Sequence, residues 1–163
     1  ANPHAVPSDR VIEKGDFVLM DYGAGYCDYR SDMTRTVVMG EPTPEQLDLY
    51  ALVRRTHEEC AAAVYPGVEG NDIYKLSKQI IGDAGYGDCY NHGLGHGVGI
   101  DIHELPNFNR SKNTIEIGSV VTMEPGVYLP GVGGVRLEDY GVVTENGYEP
   151  FTKTPHDLHV IDC

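Results

Sequence analysis

The sequence contains no long apolar run, although 40% of its 163 residues are hydrophobic. No stretch approaches the roughly 20 residues that a membrane-spanning helix needs, so we expect no membrane partner. Positive charge is also scarce, because the sequence has 12 lysine and arginine residues and 25 acidic residues, which gives a formal net charge of −13. Such a chain repels phosphate backbones, which argues against nucleic acid as a partner. The apolar content excludes general disorder, and the length suits one domain with its own core.

The sequence has few cysteines, and no two of them lie close together in the chain. The four cysteines are Cys27, Cys60, Cys89 and Cys163. The absence of CxxC excludes zinc-finger and thioredoxin-like patterns, and reduced thiols in a cytoplasmic protein are favoured over a disulfide framework, which the sequence alone leaves open. The first ten residues lack the basic and apolar segments of a signal peptide. They also lack an initiator methionine, so we expect the chain to begin inside a longer protein.

Periodicity and turn residues predict two helices between groups of strands. Thr43 and Gln46 form a capping-box pattern around Pro44, which predicts a helix running to about Val64. A second helix is predicted from Asn71 to 82–85. The predicted strands cover 17–22, 33–39, 119–124, 126–129 and 135–144, with a glycine-rich turn at 130–134. This order predicts an α+β domain with an antiparallel sheet and no internal linker.

Two aspartates flank a glycine-containing reversal in the first pair of predicted strands. Asp21 ends one strand, Gly23 and Gly25 allow the chain to turn, and Asp32 precedes the returning strand. A hairpin can bring the two carboxylates face to face, where they repel each other unless a proton or cation lies between them. Isolated aspartates in a strand-turn-strand sequence are also common as ordinary turn residues. This pair alone does not distinguish a cation site from two turn residues.

Three histidines occur within twelve residues of the glycine-rich segment NHGLGHGVGIDIHELP. They are His92, His96 and His103. Glycines let the backbone approach a ligand closely, and neutral imidazoles bind metals or carry protons. Because Leu105 and Pro106 follow His103-Glu104, the segment is not an HExxH helix.

Two glutamates lie in or at the end of apolar predicted strands. Glu124 ends one strand and Glu138 lies within another, where a buried unpaired charge costs several kcal/mol. Glu138 therefore faces solvent, pairs with Arg136 two residues earlier, or binds a metal. Together the two aspartates, one histidine and two glutamates form a mainly oxygen donor set that suits two divalent cations.

In this order and these contexts, the five residues resemble the ligands of the pita-bread metallopeptidases, which include methionine aminopeptidase, aminopeptidase P and prolidase. The resemblance runs from about Asn2 to the C-terminus and implies a pita-bread fold with a curved antiparallel sheet. It implies that Asp32 and Glu138 bridge two metals, that Asp21 completes one site, and that His96 and Glu124 complete the other. Manganese is the favoured metal, with cobalt, zinc and iron as alternatives.

The residues around these positions resemble the proline-specific branch of the family. His92, His103 and Arg136 match that branch, as does His4 near the N-terminus. The resemblance implies cleavage before proline by a hydroxide bridging the metals, with Glu124 moving the proton. His92 and His103 would stabilise the oxyanion, and His4, His92, His103 and Arg136 would bind substrate. Arg136 is equally well explained as the partner of Glu138.

Three alternatives remain from sequence: a methionine aminopeptidase-like enzyme, a creatinase-like hydrolase that needs no metal, and a non-catalytic peptide-binding relative. Family catalytic domains carry further elements before the point that matches residue 1. We therefore expect residues 1–163 to form a catalytic domain that is incomplete at its N-terminus. The isolated fragment is expected to be inactive, and the full-length protein to be a homodimer.

Overall fold

A computed structural model describes residues 1–162 of the chain. The helices are α1 (Pro44–Ala62) and α2 (Gly70–Asp83), followed by a short 3-10 turn at Gly87–Cys89. The strands are β1 (Phe17–Tyr22), β2 (Gly25–Tyr26), β3 (Tyr29–Arg30), β4 (Met33–Met39), β5 (Gly95–Gly97), β6 (Glu104–Phe108), β7 (Val120–Met123), β8 (Gly126–Leu129), β9 (Gly133–Arg136), β10 (Asp139–Thr144), β11 (Gly147–Pro150) and β12 (His159–Ile161). The predicted α+β composition with antiparallel pairing is confirmed.

The first sheet has the order β1–β4–β12 and contains the predicted hairpin. β1 pairs with β4 antiparallel, with Asp21 opposite Thr34, whereas β12 pairs with β4 in parallel. The chain reverses through the small ribbon β2–β3, whose tip residues Cys27 and Asp28 have positive φ values of 47° and 69°. Gly23 lies where the two sides approach most closely, since an added Cβ would lie 1.8 Å from the Ser31 carbonyl oxygen.

The second sheet has the order β11–β10–β7–β5–β6, and β8 and β9 form a separate antiparallel ribbon. An isolated β-bridge links the two larger sheets, since Thr34 of β4 pairs with Glu138, just before β10. Glu138 donates its backbone N–H to the Thr34 carbonyl at 3.0 Å. This bridge brings the two halves of the molecule together beside the predicted ligands.

Helix α1 begins as the sequence predicts. Thr43 accepts a hydrogen bond from the backbone N–H of Gln46, whose side chain accepts one from the Thr43 N–H in return. The helix ends at Ala62, two residues before the predicted end, and α2 begins at Gly70, one residue before Asn71. Both helices cover the sheets and bury two apolar clusters, which include Cys60, Ile73, Phe108 and Met123 in one and Leu49, Ile81, Val127 and Leu137 in the other.

The prediction of one continuous strand over 135–144 is wrong. The segment is two strands, β9 and β10, separated by Leu137 and Glu138. β9 pairs with β8 in the separate ribbon, whereas β10 lies between β11 and β7 in the five-stranded sheet. Hydrophobic alternation continues through the break, so periodicity could not reveal it. The strands β2, β3, β5, β6, β11 and β12 had no clear sequence signal, because most are shorter than the window that alternation needs.

No helix within residues 1–162 combines the length and hydropathy required to cross a bilayer. Of the cysteines, Cys27 is exposed, Cys60 is buried and Cys89 is partly buried, and all three are free thiols. Cys163 lies outside the described residues.

Candidate metal centre

Two carboxyl groups flank Thr34 of β4, one on each side. Asp21 lies opposite Thr34 across the β1–β4 pair, and Thr34 lies opposite Glu138 across the bridge between the sheets. The hydroxyl of Thr34 donates a 2.6 Å hydrogen bond to Oε2 of Glu138. Glu138 is only 2% exposed, and within residues 1–162 the Thr34 hydroxyl is the only hydrogen-bond donor to its carboxyl group. The ionised form of Glu138 therefore needs a cation beside it.

Asp32, His96 and Glu138 each direct a ligand atom to one point. Their donor atoms all lie within 4.8 Å of one another. Nε2 of His96 is 3.6 Å from Oδ2 of Asp32 and 3.4 Å from Oε1 of Glu124. A fourth donor, Glu124, therefore borders the same space from the end of β7. Of the five predicted metal ligands, these four converge around His96.

The carbonyl group of the next residue, Gly97, sets the tautomer of His96. Nδ1 lies 3.0 Å from the carbonyl oxygen of Gly97, which can only accept, so Nδ1 carries the proton. Burial lowers the pKa of His96, which keeps the imidazole neutral and leaves the Nε2 lone pair facing two carboxylates. Lone pairs that converge in this way need either a proton or a cation between them. The residues therefore fit divalent metal ions.

The pKa values of the three carboxyl groups in the cluster are all raised, because burial and neighbouring carboxylates disfavour negative charge. Burial, reinforced by Asp21, raises the pKa of Asp32 to about 6. Burial also raises the pKa of Glu124 to about 8, with Asp32 and Asp21 adding to the effect. Burial, together with Glu124 and Asp32, raises the pKa of Glu138 well above its usual range. In each case the protein disfavours the ionised form, and a bound cation would reverse that preference.

Arg136 contacts the site through Asp21 rather than through Glu138. Its Nη2 donates to Oδ2 of Asp21 at 2.6 Å, and its Nε lies 3.9 Å from Oε2 of Glu124. The ion pair between Arg136 and Glu138 that period-two spacing suggested is not formed, because the strand breaks between the two residues. Arg136 instead reaches Glu138 indirectly, since its Nε donates at 3.2 Å to the same Thr34 hydroxyl that donates to Glu138.

His92 lies beside the cluster with both ring nitrogens engaged. Nδ1 is 2.6 Å from the Gly93 carbonyl and Nε2 is 3.0 Å from the Tyr128 hydroxyl. Nη1 of Arg136 donates to the same hydroxyl at 2.9 Å, so the Tyr128 proton is free to go to Nε2. Burial lowers the pKa of His92 to about 4, which keeps the ring neutral.

A cavity of about 520 Å³ opens beside these residues. It is lined by His4, His92, His96, His103 and Glu124, among others. His103 is exposed and stacks at a tilt against His96, with ring centroids 4.2 Å apart. His4 reaches the cavity because Nη1 of Arg136 donates to the carbonyl of neighbouring Pro3 at 3.1 Å. All the predicted substrate-binding residues thus lie at or beside one cavity.

Sequence reasoning missed Thr34 and Tyr128, which hold the predicted residues in place. Thr34 stands two residues after Asp32, which directly precedes β4, and this period-two spacing is a signal that could have identified it. Tyr128 had no such signal, because it comes within reach of His92 and Arg136 only through the pairing of β8 with β9.

Comparison with known proteins gives a consistent set of similarities. Residues 1–145 match the profile described as metallopeptidase family M24. The chain is 44% identical over 159 residues to an Xaa-Pro dipeptidase of Pyrococcus furiosus, which covers 97% of this chain and 46% of that protein. The prolidase structure from Pyrococcus horikoshii superposes with a TM-score of 0.93 at 41% identity, covering 96% of this chain and 46% of that one.

A third similarity extends to a differently named enzyme. The X-Pro aminopeptidase structure from Thermotoga maritima has a TM-score of 0.94 at 36% identity, covering 98% of this chain and 46% of that one. The chain therefore spans slightly less than half the length of the proteins that it resembles. The pita-bread fold predicted from the sequence is confirmed by these superpositions.

Proposed function

This chain belongs to metallopeptidase family M24, and from that premise we propose that its whole protein hydrolyses the peptide bond before a proline, as an Xaa-Pro dipeptidase or aminopeptidase. The observation that carries the proposal is the convergence of Asp32, His96, Glu124 and Glu138 beside a cavity lined by further histidines. Residues 1–163 would form part of the catalytic domain of a cytoplasmic homodimer.

Asp21, Asp32, His96, Glu124 and Glu138 would hold two divalent cations, with manganese favoured and cobalt, zinc or iron also compatible with the donors. When bound, such cations supply Lewis acidity, which lowers the pKa of a water molecule and polarises a carbonyl group. The neutral Nε2 of His96 supports this assignment, because it lies between two carboxylates and has its other nitrogen fixed by Gly97.

The side chains around the cluster have complementary tasks. Glu124 accepts the proton of the attacking water and passes it to the departing proline nitrogen. His103, which is exposed in the cavity, donates to the oxyanion that develops on the scissile carbonyl. His92 has its ring nitrogens engaged by Gly93 and Tyr128, so it contributes to substrate binding mainly by holding that wall of the cavity. His4 and Arg136 complete the binding side.

The preference for proline is supported by the names of the relatives and by the cavity's chemistry. A bond before proline leaves no N–H at the leaving nitrogen, so recognition depends on ring shape and on carbonyl contacts. The exposed apolar residue Leu105 lines the same cavity as His103 and offers a surface for such a ring.

A substrate panel tests the reaction class. The whole protein, loaded with Mn²⁺, is assayed with Ala-Pro, Ala-Pro-Ala, Met-Ala and creatine. We expect cleavage of one or both proline peptides and none of the others. Cleavage of Met-Ala alone would indicate a methionine aminopeptidase, creatine turnover a creatinase-like hydrolase, and metal binding without any cleavage a binding protein.

A variant of the same protein tests the role of Glu124. Glu124→Gln keeps the shape of the side chain and removes its basicity, so turnover of Ala-Pro should fall by at least about 100-fold. Glu59→Gln, on the exposed side of α1, is the matched control and should retain full turnover. Near-normal turnover by a Glu124→Gln sample with verified metal content would rule out the assignment.

A further inference from the structure

A second cluster of potential ligands lies on the other side of Glu138. It consists of His57 from α1, Asp139 at the start of β10, and His156 from the segment before β12. One ligand atom from each of the three lies within 4.8 Å of the other two. His57 and Asp139 are 3% and 2% exposed, so this is an interior cluster rather than a surface group of acidic residues.

His57 is the feature of the cluster that ordinary packing does not explain. Within residues 1–162, neither of its ring nitrogens has a hydrogen-bond partner. Buried polar groups are nearly always paired, and leaving one unpaired costs about 1–3 kcal/mol. Nε2 of His57 points toward Oδ2 of Asp139 but stops 3.5 Å from it. Burial lowers the pKa of His57 to about 4, so the ring is neutral and Nε2 can offer a lone pair.

We propose that His57, Asp139 and His156 form a buried binding site for a divalent transition metal of the Zn²⁺ class, separate from the Asp32–His96–Glu138 cluster. Two imidazole nitrogens and one carboxylate oxygen are a donor set that Zn²⁺ binds readily. A tetrahedral Zn²⁺ with bonds of about 2.0–2.1 Å separates neighbouring ligand atoms by about 3.4 Å. The 3.5 Å between His57 and Asp139 already matches this separation.

The third ligand needs one local change. Nε2 of His156 lies 2.7 Å from Oδ2 of Asp139 and donates a proton to it. When the metal binds, that hydrogen bond breaks, the His156 proton is carried on Nδ1 instead, and the Nε2 lone pair faces the ion. His156 is partly exposed and sits on a segment outside the helices and strands, so the small outward shift has room.

Arg35 orients the carboxylate and also limits the affinity. Its Nη2 donates to Oδ1 of Asp139 at 2.6 Å, which leaves Oδ2 as the oxygen directed at the two imidazoles. This arrangement matches the outer hydrogen bonds that commonly fix a metal ligand. The guanidinium charge repels a second cation, so the site should bind Zn²⁺ more weakly than the acidic cluster around His96.

The site connects three segments next to the candidate metal centre. Asp139 directly follows Glu138, and Arg35 also donates to the Glu138 carbonyl at 2.7 Å. An ion bound here would tie α1 and the segment before β12 to the strand that begins just after Glu138. We therefore assign the site a structural effect on the fold rather than a part in hydrolysis.

Metal retention by variants of the full chain tests the proposal. Samples are dialysed at a fixed free Zn²⁺ concentration and their metal content is measured by elemental analysis. We expect His57→Gln and His156→Gln each to retain one Zn²⁺ fewer per chain than the unmodified protein. His159→Gln, an exposed histidine three residues further on, is the control and should retain the full amount. His96→Ala should lose metal from the other cluster and keep the ion held by His57.

Nitrogen NMR of the unmodified chain gives a readout that does not depend on variants folding. Addition of Zn²⁺ should shift the imidazole Nε2 resonances of His57 and His156 as well as that of His96. A shift of His96 alone, or equal Zn²⁺ retention by His57→Gln and His159→Gln, would overturn the proposal and leave a metal-free hydrogen-bonded cluster.

Discussion

Arg136 donates a 2.6 Å hydrogen bond from Nη2 to Oδ2 of Asp21, which ties a predicted metal ligand on β1 to a buried guanidinium on β9. The same guanidinium contacts Thr34, Tyr128 and the Pro3 carbonyl. One side chain thus supports the Asp21 carboxylate, the hydroxyl that holds Glu138, and the segment that carries His4. The position of Asp21 therefore depends on a cation that the protein itself supplies.

Replacing Arg136 with lysine should weaken metal binding. A single ammonium cannot reproduce the planar guanidinium fork that bonds Asp21, Thr34 and Tyr128 together. Loss of such supporting bonds commonly costs about 10–100-fold in metal affinity. Titration calorimetry with Mn²⁺ would measure the change. Arg55→Lys, at an exposed position on α1, should bind Mn²⁺ normally, and equal affinity in both variants would contradict this role.

Thr34→Val should destabilise the fold more than the loss of an ordinary hydroxyl. The Thr34 hydroxyl donates to the buried Glu138 carboxyl group and accepts from the Arg136 guanidinium, and hydrogen bonds to charged groups contribute about 1.5–3 kcal/mol. Thr56→Val is the matched control, because Thr56 is equally buried but its hydroxyl bonds only the Leu52 carbonyl within α1. Urea denaturation of both metal-free variants should show the larger loss for Thr34→Val. A larger loss for Thr56→Val would be inconsistent with this prediction.

Gly23→Ala should disrupt the hairpin that carries Asp21 and Asp32. The new Cβ would lie 1.8 Å from the Ser31 carbonyl oxygen, so the backbone must move, at a cost of about 1–3 kcal/mol. Gly82→Ala, in helix α2, meets nothing within 4 Å and should stabilise the chain by about 0.5–1 kcal/mol. Thermal unfolding should therefore shift in opposite directions, and only Gly23→Ala should also lower Mn²⁺ affinity. Equal shifts would argue against a close approach at Gly23.

Metal affinity should rise with pH between about 6 and 8. The pKa of Asp32 is raised to about 6 and that of Glu124 to about 8, so below these values a cation must displace protons. In the metal-free fold, the stability that these raised pKa values contribute is present below the unfolded pKa values near 4 and is lost as pH rises. Calorimetry in buffers of different ionisation enthalpy should detect proton release on Mn²⁺ binding at pH 6.5. An Mn²⁺ affinity that does not change between pH 6 and 8 would contradict this prediction.

Local signals in the sequence identified the candidate residues, and the family resemblance supplied their assignment as metal ligands. Asp21 and Asp32 flank a recognisable reversal, and the helix start at Thr43 has both parts of its capping box. The crowding of three histidines in a glycine-rich segment marked it as functional, and the family resemblance identified His96 among them as the metal ligand. These features depend on residues that are near one another in the chain, where turn chemistry and periodicity act directly.

What escaped prediction depends on contacts between distant segments. One interpretation paired Arg136 with Glu138, two residues away, whereas the structure pairs Arg136 with Asp21 of β1, because the strand breaks after Arg136. The bridge from Thr34 to Glu138 and the meeting of His57 with His156 follow from the assembly of separate sheets and a helix. Alternation along one segment carries no information about such pairings.

The candidate ligands of the metal centre come from segments that begin at β1 and end at the break before β10, from Asp21 to Glu138 of the 162 described residues. A cation held there would close several long loops at once, and each closure forms late because its ends start far apart. Contacts absent from the folding transition state act mainly on the unfolding rate. Occupancy of the centre would therefore lengthen the lifetime of the native state much more than it would hasten its formation.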